Sequence, residues 1–462
     1  MQPEVRALDQ DRAKPSLRSK LRGLVASYLS NPIVAAILCA AALLWTLGTL
    51  ADLRARFDKA GLRCDKNDFA CYYIDACAMR EGVNPYTEDL LRIGIEHHLA
   101  THRGVKSDYP PTFILFTEPF TLLTFEAAYW VWTGLNLAAL LLSLYLLLCK
   151  DLRLDAKTAL SVGAVALFYQ PITVSFGWGQ PQMIMLLMIV VAWLCFQRGK
   201  DRAGGLILAF GGLLKIYPLF LVGYLLVKRR WQAIFFIALG LVIGGAATIT
   251  LTGISGSFAF FGRLRDVVNG GWLGSVHQLG SPSLINVDSF ISRVFWQLTG
   301  TGWNDPIDWI RRPLMMLAGI ALLALTVRAT LIGRSGRSND QAAFALWMAL
   351  TALLAPTAWV HYMILLLVLF AVLAAAAIRG EASSLAIWLG AASFFLVILS
   401  VPYDFLVSLP PRFSLLEYSV PFFTILAAAL PQSLLKFLTD NWFFALTITA
   451  YASAYQLTTE QV

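Results

Sequence analysis

From residue 32 onward, long apolar runs alternate with short polar and mostly basic stretches. A helix needs roughly 20 apolar residues to cross about 30 Å of hydrocarbon, where no water can satisfy an open backbone group. The runs have that length, so the pattern predicts many membrane helices and no sheet. The first run, from about Pro32 to Leu50, follows a polar stretch carrying Arg6, Arg12, Lys14, Arg18, Lys20 and Arg22. No short signal core with a small-residue cleavage site precedes it, so it reads as a retained anchor. The positive-inside rule then keeps the N-terminus in the cytoplasm.

The stretch from residue 51 to Asp108 is the longest polar segment, long enough to escape the charge rule that governs short loops. After it, Tyr109-Pro110-Pro111 through Phe125 is short of apolar residues and interrupted by Glu118-Pro119, so it should lie at the interface or re-enter. Charge bookkeeping agrees. If that segment does not cross, the next run, Tyr129 to Cys149, delivers Lys150, Arg153 and Lys157 to the cytoplasm, where the later clusters at 198–202, 228–230 and 328–337, Arg379 and Lys436 also fall. Between Arg202 and Lys228, Lys215-Ile216-Tyr217-Pro218 occupies the middle of an apolar run, which suits two short helices meeting inside the membrane. The outer face then receives the first loop, residues 177–182, 253–308, the neighbourhood of Trp359 and His361, and 402–417.

The expected fold is an all-α polytopic bundle of about eleven full spans plus a hairpin, roughly 11–13 membrane helices in all. It forms one membrane domain over residues 31–456, with cytoplasmic tail 1–30, outer loop 51–108 and C-terminal tail 457–462. No inverted repeat of matched broken helices is visible, which speaks against a secondary transporter.

Composition closes off other classes. With 58% hydrophobic and 14% charged residues and a mean hydropathy of +0.66, a chain of this length cannot hide its apolar surface from water. The net charge of +8 is dispersed between the runs, so it reports topology and no nucleic-acid partner is expected. Of six cysteines, Cys39, Cys149 and Cys195 lie in or beside apolar runs and Cys64, Cys71 and Cys77 in the first loop. That odd number excludes a complete disulfide framework and leaves room for one bond from Cys64.

Several motifs follow in order: Asp68-Phe69-Ala70-Cys71-Tyr72-Tyr73, Gly82-Val83-Asn84-Pro85-Tyr86 and Tyr109-Pro110-Pro111. A helix-like stretch from Asp68 to about Met79 ends at Gly82, and Asn84-Pro85 forces a turn. Farther on come Gly179-Gln180-Pro181-Gln182, then Gly212 to Pro218 followed by Lys228-Arg229-Arg230-Trp231, then Ala355 to Tyr362. Together, from about Asp65 to Leu365, they resemble the polyprenyl-phosphate-dependent glycosyltransferases of family 87, in the GT-C fold class that includes the mycobacterial mannosyltransferases of phosphatidylinositol mannoside assembly. The chain departs from the family pattern at Gln182, where Asn is usual, Ala358 for Ser, Tyr362 for a second His, and Asp75 for a small residue. The resemblance implies a polyprenyl-phosphate sugar donor, with a hexose such as mannose passing to a lipid or glycan acceptor on the periplasmic side. It also implies a bacterial inner membrane, lipid contacts, no cofactor and no metal.

Such chemistry needs few groups. A phosphate leaves as an anion without a proton, so one carboxylate suffices where a glycosidase needs two. Asp68 matches the acidic residue of the family motif and is the expected base, its alternative being a helix N-cap. Asp65 and Asp75 compete, the latter on nearly the same helical face. Two carboxylates could hold a divalent metal, but no His or further acid joins them at a recognisable spacing.

Cations must meet the leaving phosphate. Lys215, mid-run among apolar neighbours, is functional by default unless it snorkels from a short helix end. His361 beside Trp359 could donate to a phosphate oxygen or simply sit in an aromatic belt, and Arg293 after Asn286 and Ser289 is either a third phosphate ligand or a surface arginine. Tyr72, Tyr73 and Tyr86 could stack on sugars, although interfacial anchoring is the commoner role of tyrosine. Asn84, Gln180, Tyr217 and Trp359 complete the expected substrate contacts through the resemblance, while His97, His98 and His102 read as solvated loop. The rival readings are a transporter or flippase that binds an anion at Lys215, and a scaffold in envelope assembly.

Overall fold

The computed structural model describes Gly23 and residues 27–60, 63–64, 67–99, 106–268, 284–299, 308–332, 336–356, 358–399 and 432–459. Among these residues the chain is helical apart from turns and one isolated bridge between Leu284 and Trp359. Its helices are α1 (Pro32–Ala60), α2 (Asp68–Arg80), α3 (Leu91–Glu96), α4 (Pro111–Thr117), α5 (Phe125–Tyr145), α6 (Ala156–Leu167), α7 (Gln170–Trp178), α8 (Gln182–Gln197) and α9 (Asp201–Leu214). They continue with α10 (Leu221–Val227), α11 (Trp231–Val268), α12 (Val287–Thr299), α13 (Asp308–Ile332), α14 (Arg337–Leu354), α15 (Leu366–Arg379), α16 (Ser384–Leu399) and α17 (Gln432–Thr459). The protein is an all-α polytopic membrane bundle.

Among the described residues five helices are long and apolar enough to cross a membrane: Pro32–Phe57, Phe125–Asp151, Trp231–Arg265, Trp309–Ile332 and Val360–Arg379. A sixth span arises if α6 and α7, bent by 56°, count as one, and Gln182–Gln197, Tyr217–Val227 and Ser384–Val397 are shorter apolar helices. Several members of the bundle are thus interrupted, and backbone breaks at membrane depth survive only where they are packed in protein or line a cavity.

The basic clusters meet at one end of the bundle, as their spacing implied. Arg337 donates to Asp151 O at 2.8 Å, Lys228 pairs with Asp340 at 2.6 Å, Arg230 pairs with Asp201 at 2.7 Å, and Arg379 donates to Leu152 O. Helices α5, α8 and α9 run from that end to the opposite one, where the segment after α1 is folded down. There the 109–125 stretch makes only the seven-residue α4 and a 3-10 turn over Glu118–Leu122, too short to cross.

Helix α2 begins because Asn67, in extended backbone, caps it by accepting from Ala70 N at 3.3 Å. Phe69 in the first turn is fully buried, with its ring 5.2 Å from Trp132 and 6.0 Å from Phe125, so the helix start is plugged into the N-terminal half of α5. Cys64 and Cys71 form a disulfide that ties the entering chain to the same turn, and Cys77 is free and buried. Beneath the site α9 approaches α11 closely: a Cβ on Gly205 would lie 2.5 Å from Ala233 O. The N-terminal arginines, Asp65, His102, the 402–417 segment and the last residues of the C-terminal tail lie outside the described residues.

Candidate active site

Three interruptions of helical backbone converge beside the first turn of α2. The first separates α7 from α8. Gly179 closes α7 with φ +65°, and a Cβ there would stand 2.7 Å from Phe69 Cβ and 2.9 Å from Asn67 Oδ1. Only glycine permits both the left-handed turn and that approach. The turn is fastened by Asn67 Nδ2 donating to Gly177 O at 3.0 Å and by Trp132 Nε1 donating to Gly179 O at 2.8 Å.

The next residue, Gln180, is consequently held against α2. Its Nε2 donates to Asp68 Oδ2, while its Oε1 accepts from Lys215 Nζ at 2.9 Å and from Tyr72 OH at 3.3 Å. One buried amide thereby joins a carboxylate to an ammonium.

Lys215 owes its position to the second interruption. It ends α9 in extended backbone, with φ −144° and ψ 134°, before a 3-10 turn over Tyr217–Phe220. Its Nζ lies 5.8 Å from the ring centroids of both Tyr109 and Tyr362, within cation–π range. Two residues on, Tyr217 OH donates to Gln182 Oε1 at 3.0 Å, a second rung between the same two segments.

The third interruption is the 3-10 stretch Val360–Leu365, which buries His361 and Tyr362. Tyr362 packs 4.8 Å from Tyr217, and His361 lies 5.2 Å from Tyr362. The loop before it is stitched to the start of α12: Ile285 N donates to Ala358 O at 2.8 Å and Asn286 Nδ2 to Ala355 O at 3.1 Å. Arg293 belongs to this seam, donating to Leu284 O at 3.1 Å, and Trp359 bridges to Leu284.

The two described carboxylates of α2 differ. Capping falls to Asn67, so Asp68 is not spent on the helix end. Asp68 is partly exposed, and burial raises its carboxyl to about 6 against the opposing pull of Lys215 and the Gln180 hydrogen bond, with Asp108 adding to the rise. Asp75 is 1% exposed, and burial lifts it to about 8, against a lowering hydrogen bond from Ser107 and a raising effect of Asp108. Of this pair, Asp68 alone both adjoins a cation and retains access.

Other expected contacts divide. Tyr72 is in the site, its ring edge-on to Tyr109 at 4.5 Å. Tyr73 donates instead to Leu123 O at 2.8 Å and packs on Phe125 and His97. Asn84 Oδ1 accepts from Tyr86 N at 3.0 Å in a local turn, and Tyr86 OH supports Tyr109 by donating to its carbonyl at 2.7 Å. His98 takes φ +60° at the end of α3, and among the described residues no group of three or more His, Cys, Asp or Glu could hold a metal. Tyr109 and Tyr362, the aromatic walls of Lys215, stand in the sequence motifs, but nothing in their spacing announces a shared cation.

The sequence model of glycosyltransferase family 87 matches residues 108–357, more than half of the chain. That segment carries Gln180, Lys215 and Arg293, begins after Asp68 and ends before His361. The chain is similar to a polyprenol-phosphate-mannose-dependent alpha-(1-2)-phosphatidylinositol mannoside mannosyltransferase of Mycobacterium tuberculosis, 24% identical over 70% of this chain and 74% of the relative. It is also similar to an alpha-(1->3)-arabinofuranosyltransferase of Mycobacterium tuberculosis, 27% identical over 53% of this chain and 58% of that relative. No solved structure matches the chain.

Proposed function

The chain belongs to glycosyltransferase family 87 and is a membrane glycosyltransferase, and from that premise we propose that it moves a hexose from a polyprenyl-phosphate donor to a hydroxyl of a lipid or glycan acceptor, with Asp68 as general base. Mannose is the preferred sugar because the mannosyltransferase relative aligns over the larger share of both chains. The Gln180-bridged pairing of Asp68 with Lys215 is the observation that carries the reading.

In the proposed reaction the acceptor oxygen attacks the anomeric carbon on the face opposite the phosphate, the carbon–oxygen bond to phosphate breaks, and configuration inverts. The acceptor proton passes to Asp68. The leaving group departs as polyprenyl phosphate without needing a proton, which is why one accessible carboxylate is enough. Lys215 meets the developing phosphate charge, with His361 and Arg293 as its proposed partners around the 3-10 stretch. An anionic donor competes with the Gln180 carbonyl for Lys215, and the freed amide remains on Asp68. Tyr109, partly exposed, offers its ring to the sugar, with the buried Tyr72 packed edge-on behind it.

The basic clusters share the bundle end opposite the site, and the positive-inside rule assigns that end to the cytoplasm. The site therefore opens to the periplasmic face of a bacterial inner membrane, where a lipid-linked donor enters sideways from the bilayer.

The test supplies purified protein with polyprenyl-phosphate [14C]mannose, using membranes from cells lacking the protein as the acceptor source. Asp68→Asn is expected to cut turnover by about 10²–10⁴-fold, the usual contribution of a general base, while donor binding persists. Wild-type turnover should rise with pH through about 6 as Asp68 ionises, a limb the variant lacks. Full turnover by folded Asp68→Asn would remove the residue from the role.

A further inference from the structure

Asp75 follows Asp68 by two turns of α2, and the proposed chemistry leaves it unused. Its Oδ2 accepts from Ser107 Oγ at 2.6 Å, whereas Oδ1 is buried with no hydrogen-bond partner among the described residues. Ser107 Oγ in turn accepts from Tyr109 N at 3.3 Å. A buried carboxyl with an open oxygen costs the fold stability, so its presence under this particular loop asks for a reason beyond packing.

The loop is held from three sides. Ser107 N donates to Pro85 O at 2.8 Å, Tyr86 OH donates to Tyr109 O at 2.7 Å, and Arg263 of α11 reaches Asp108 with Nε at 3.0 Å and a terminal nitrogen at 2.5 Å. What the loop presents is the Tyr109 ring, edge-on to Tyr72 and 5.8 Å from Lys215 Nζ.

We propose that Asp75 is a positioning residue for the transfer reaction: through Ser107 it sets the Tyr109 ring against Lys215, and so fixes where the ammonium meets the donor phosphate. The inference rests on the reading of Lys215 as a phosphate ligand. Asp75 touches no reacting atom in this scheme. The groups facing it are Ser107, Asp108 with its partner Arg263, Tyr86 from the neighbouring turn and Tyr72 on its own helix. Because burial lifts Asp75 to about 8, it keeps its proton at neutral pH, and ionisation above that adds a second negative charge beside Asp108.

The experiment measures equilibrium binding of radiolabelled polyprenyl phosphate, without sugar, to the full-length protein, alongside thermal unfolding. Asp75→Ala and Ser107→Ala are each expected to weaken binding about tenfold, the scale of a desolvated cation–π contact. Ser107→Ala removes one hydroxyl and guards against a folding failure in the larger change. Asp75→Asn keeps an acceptor for Ser107 and should restore most of the lost affinity. Tyr109→Ala should match Asp75→Ala, and the double variant should be no weaker than Tyr109→Ala alone, since both changes act through one ring. Wild-type affinity in Asp75→Ala, or losses that multiply in the double variant, would overturn the proposal alone. A wild type that does not bind polyprenyl phosphate would overturn the donor reading and this inference with it.

Discussion

Gly179→Ala is the sharpest probe of how the site is assembled, because a single methyl acts on a turn that touches no reacting atom. The residue has φ +65°, where an alanine costs about 1–2 kcal/mol. Its Cβ would also stand 2.7 Å from Phe69 Cβ, 2.9 Å from Asn67 Oδ1 and 3.2 Å from Phe69 N. None of these neighbours yields easily: Phe69 is fully buried against Trp132, and Asn67 caps α2. Overpacking of that kind adds about 1–3 kcal/mol, so the total is about 2–5 kcal/mol. Part of the strain is relieved by moving the turn away from α2, which draws Gln180 off Asp68 and Lys215. A displacement near 1 Å can cost about 10²-fold in rate.

Turnover and thermal unfolding should therefore both fall, and Gly82→Ala supplies the control. Gly82 also has positive φ, +76°, but a Cβ there meets nothing within 4 Å. Gly82→Ala should show the backbone cost alone and keep its turnover. If Gly179→Ala behaves no worse than Gly82→Ala in both assays, the close packing of this turn on α2 does not organise the site.

Lys215→Met removes a buried ammonium but leaves Asp68 without its compensating cation, so melting temperature should fall. Its polyprenyl-phosphate affinity should fall about 10–100-fold, and equilibrium binding that stays at the wild-type level would release Lys215 from the phosphate. Asp75→Asn tests the buried carboxyl by its pH dependence: the raised value means that folding loses stability progressively from pH 3.8 up to about 8. The variant should then melt above the wild type at pH 8–9, with the margin vanishing near pH 4; a margin independent of pH would assign the effect to packing. Cys71→Ser opens a bridge between residues seven apart, worth about 2–3 kcal/mol in the chain-entropy account. Its melting temperature should drop, and the wild type should drop equally under reductant.

Local features were legible in the sequence because they depend on neighbours in the chain. The helix from Asp68 to just before Gly82, the interruption at Lys215-Ile216-Tyr217-Pro218, the short 109–125 segment and the shared end of the basic clusters follow from capping, proline, length and charge. That Asp68 and Lys215 share one site followed only from the family resemblance, and the way they meet, through Gln180 and a glycine turn fitted to Phe69, was not legible. Tyr72 and Tyr73 look alike in sequence, yet one helical step sends the first to Gln180 and the second to Leu123. The support that Tyr86 gives Tyr109 likewise belongs to packing between separate segments. The number of uninterrupted spans was the hardest feature to read, because hydropathy counts apolar residues and not the bends between them.

The amide between Asp68 and Lys215 bears on mechanism as well as assembly. In direct contact, a carboxylate and an ammonium in a low-dielectric site would bind each other strongly and leave neither free for substrate. Gln180 satisfies both through opposite ends of one neutral group, so each charge is held without being consumed. The ammonium makes its other close approaches to ring faces, which attract it but offer no oxygen, and a phosphate oxygen is the better ligand by far. Under the proposed reaction, donor binding draws Lys215 away from the amide while Asp68, the proposed base, stays oriented by it beside a cation engaged with the leaving group. Such an arrangement needs its cation and its base on different backbone segments, and here three interrupted helices bring those segments to one point.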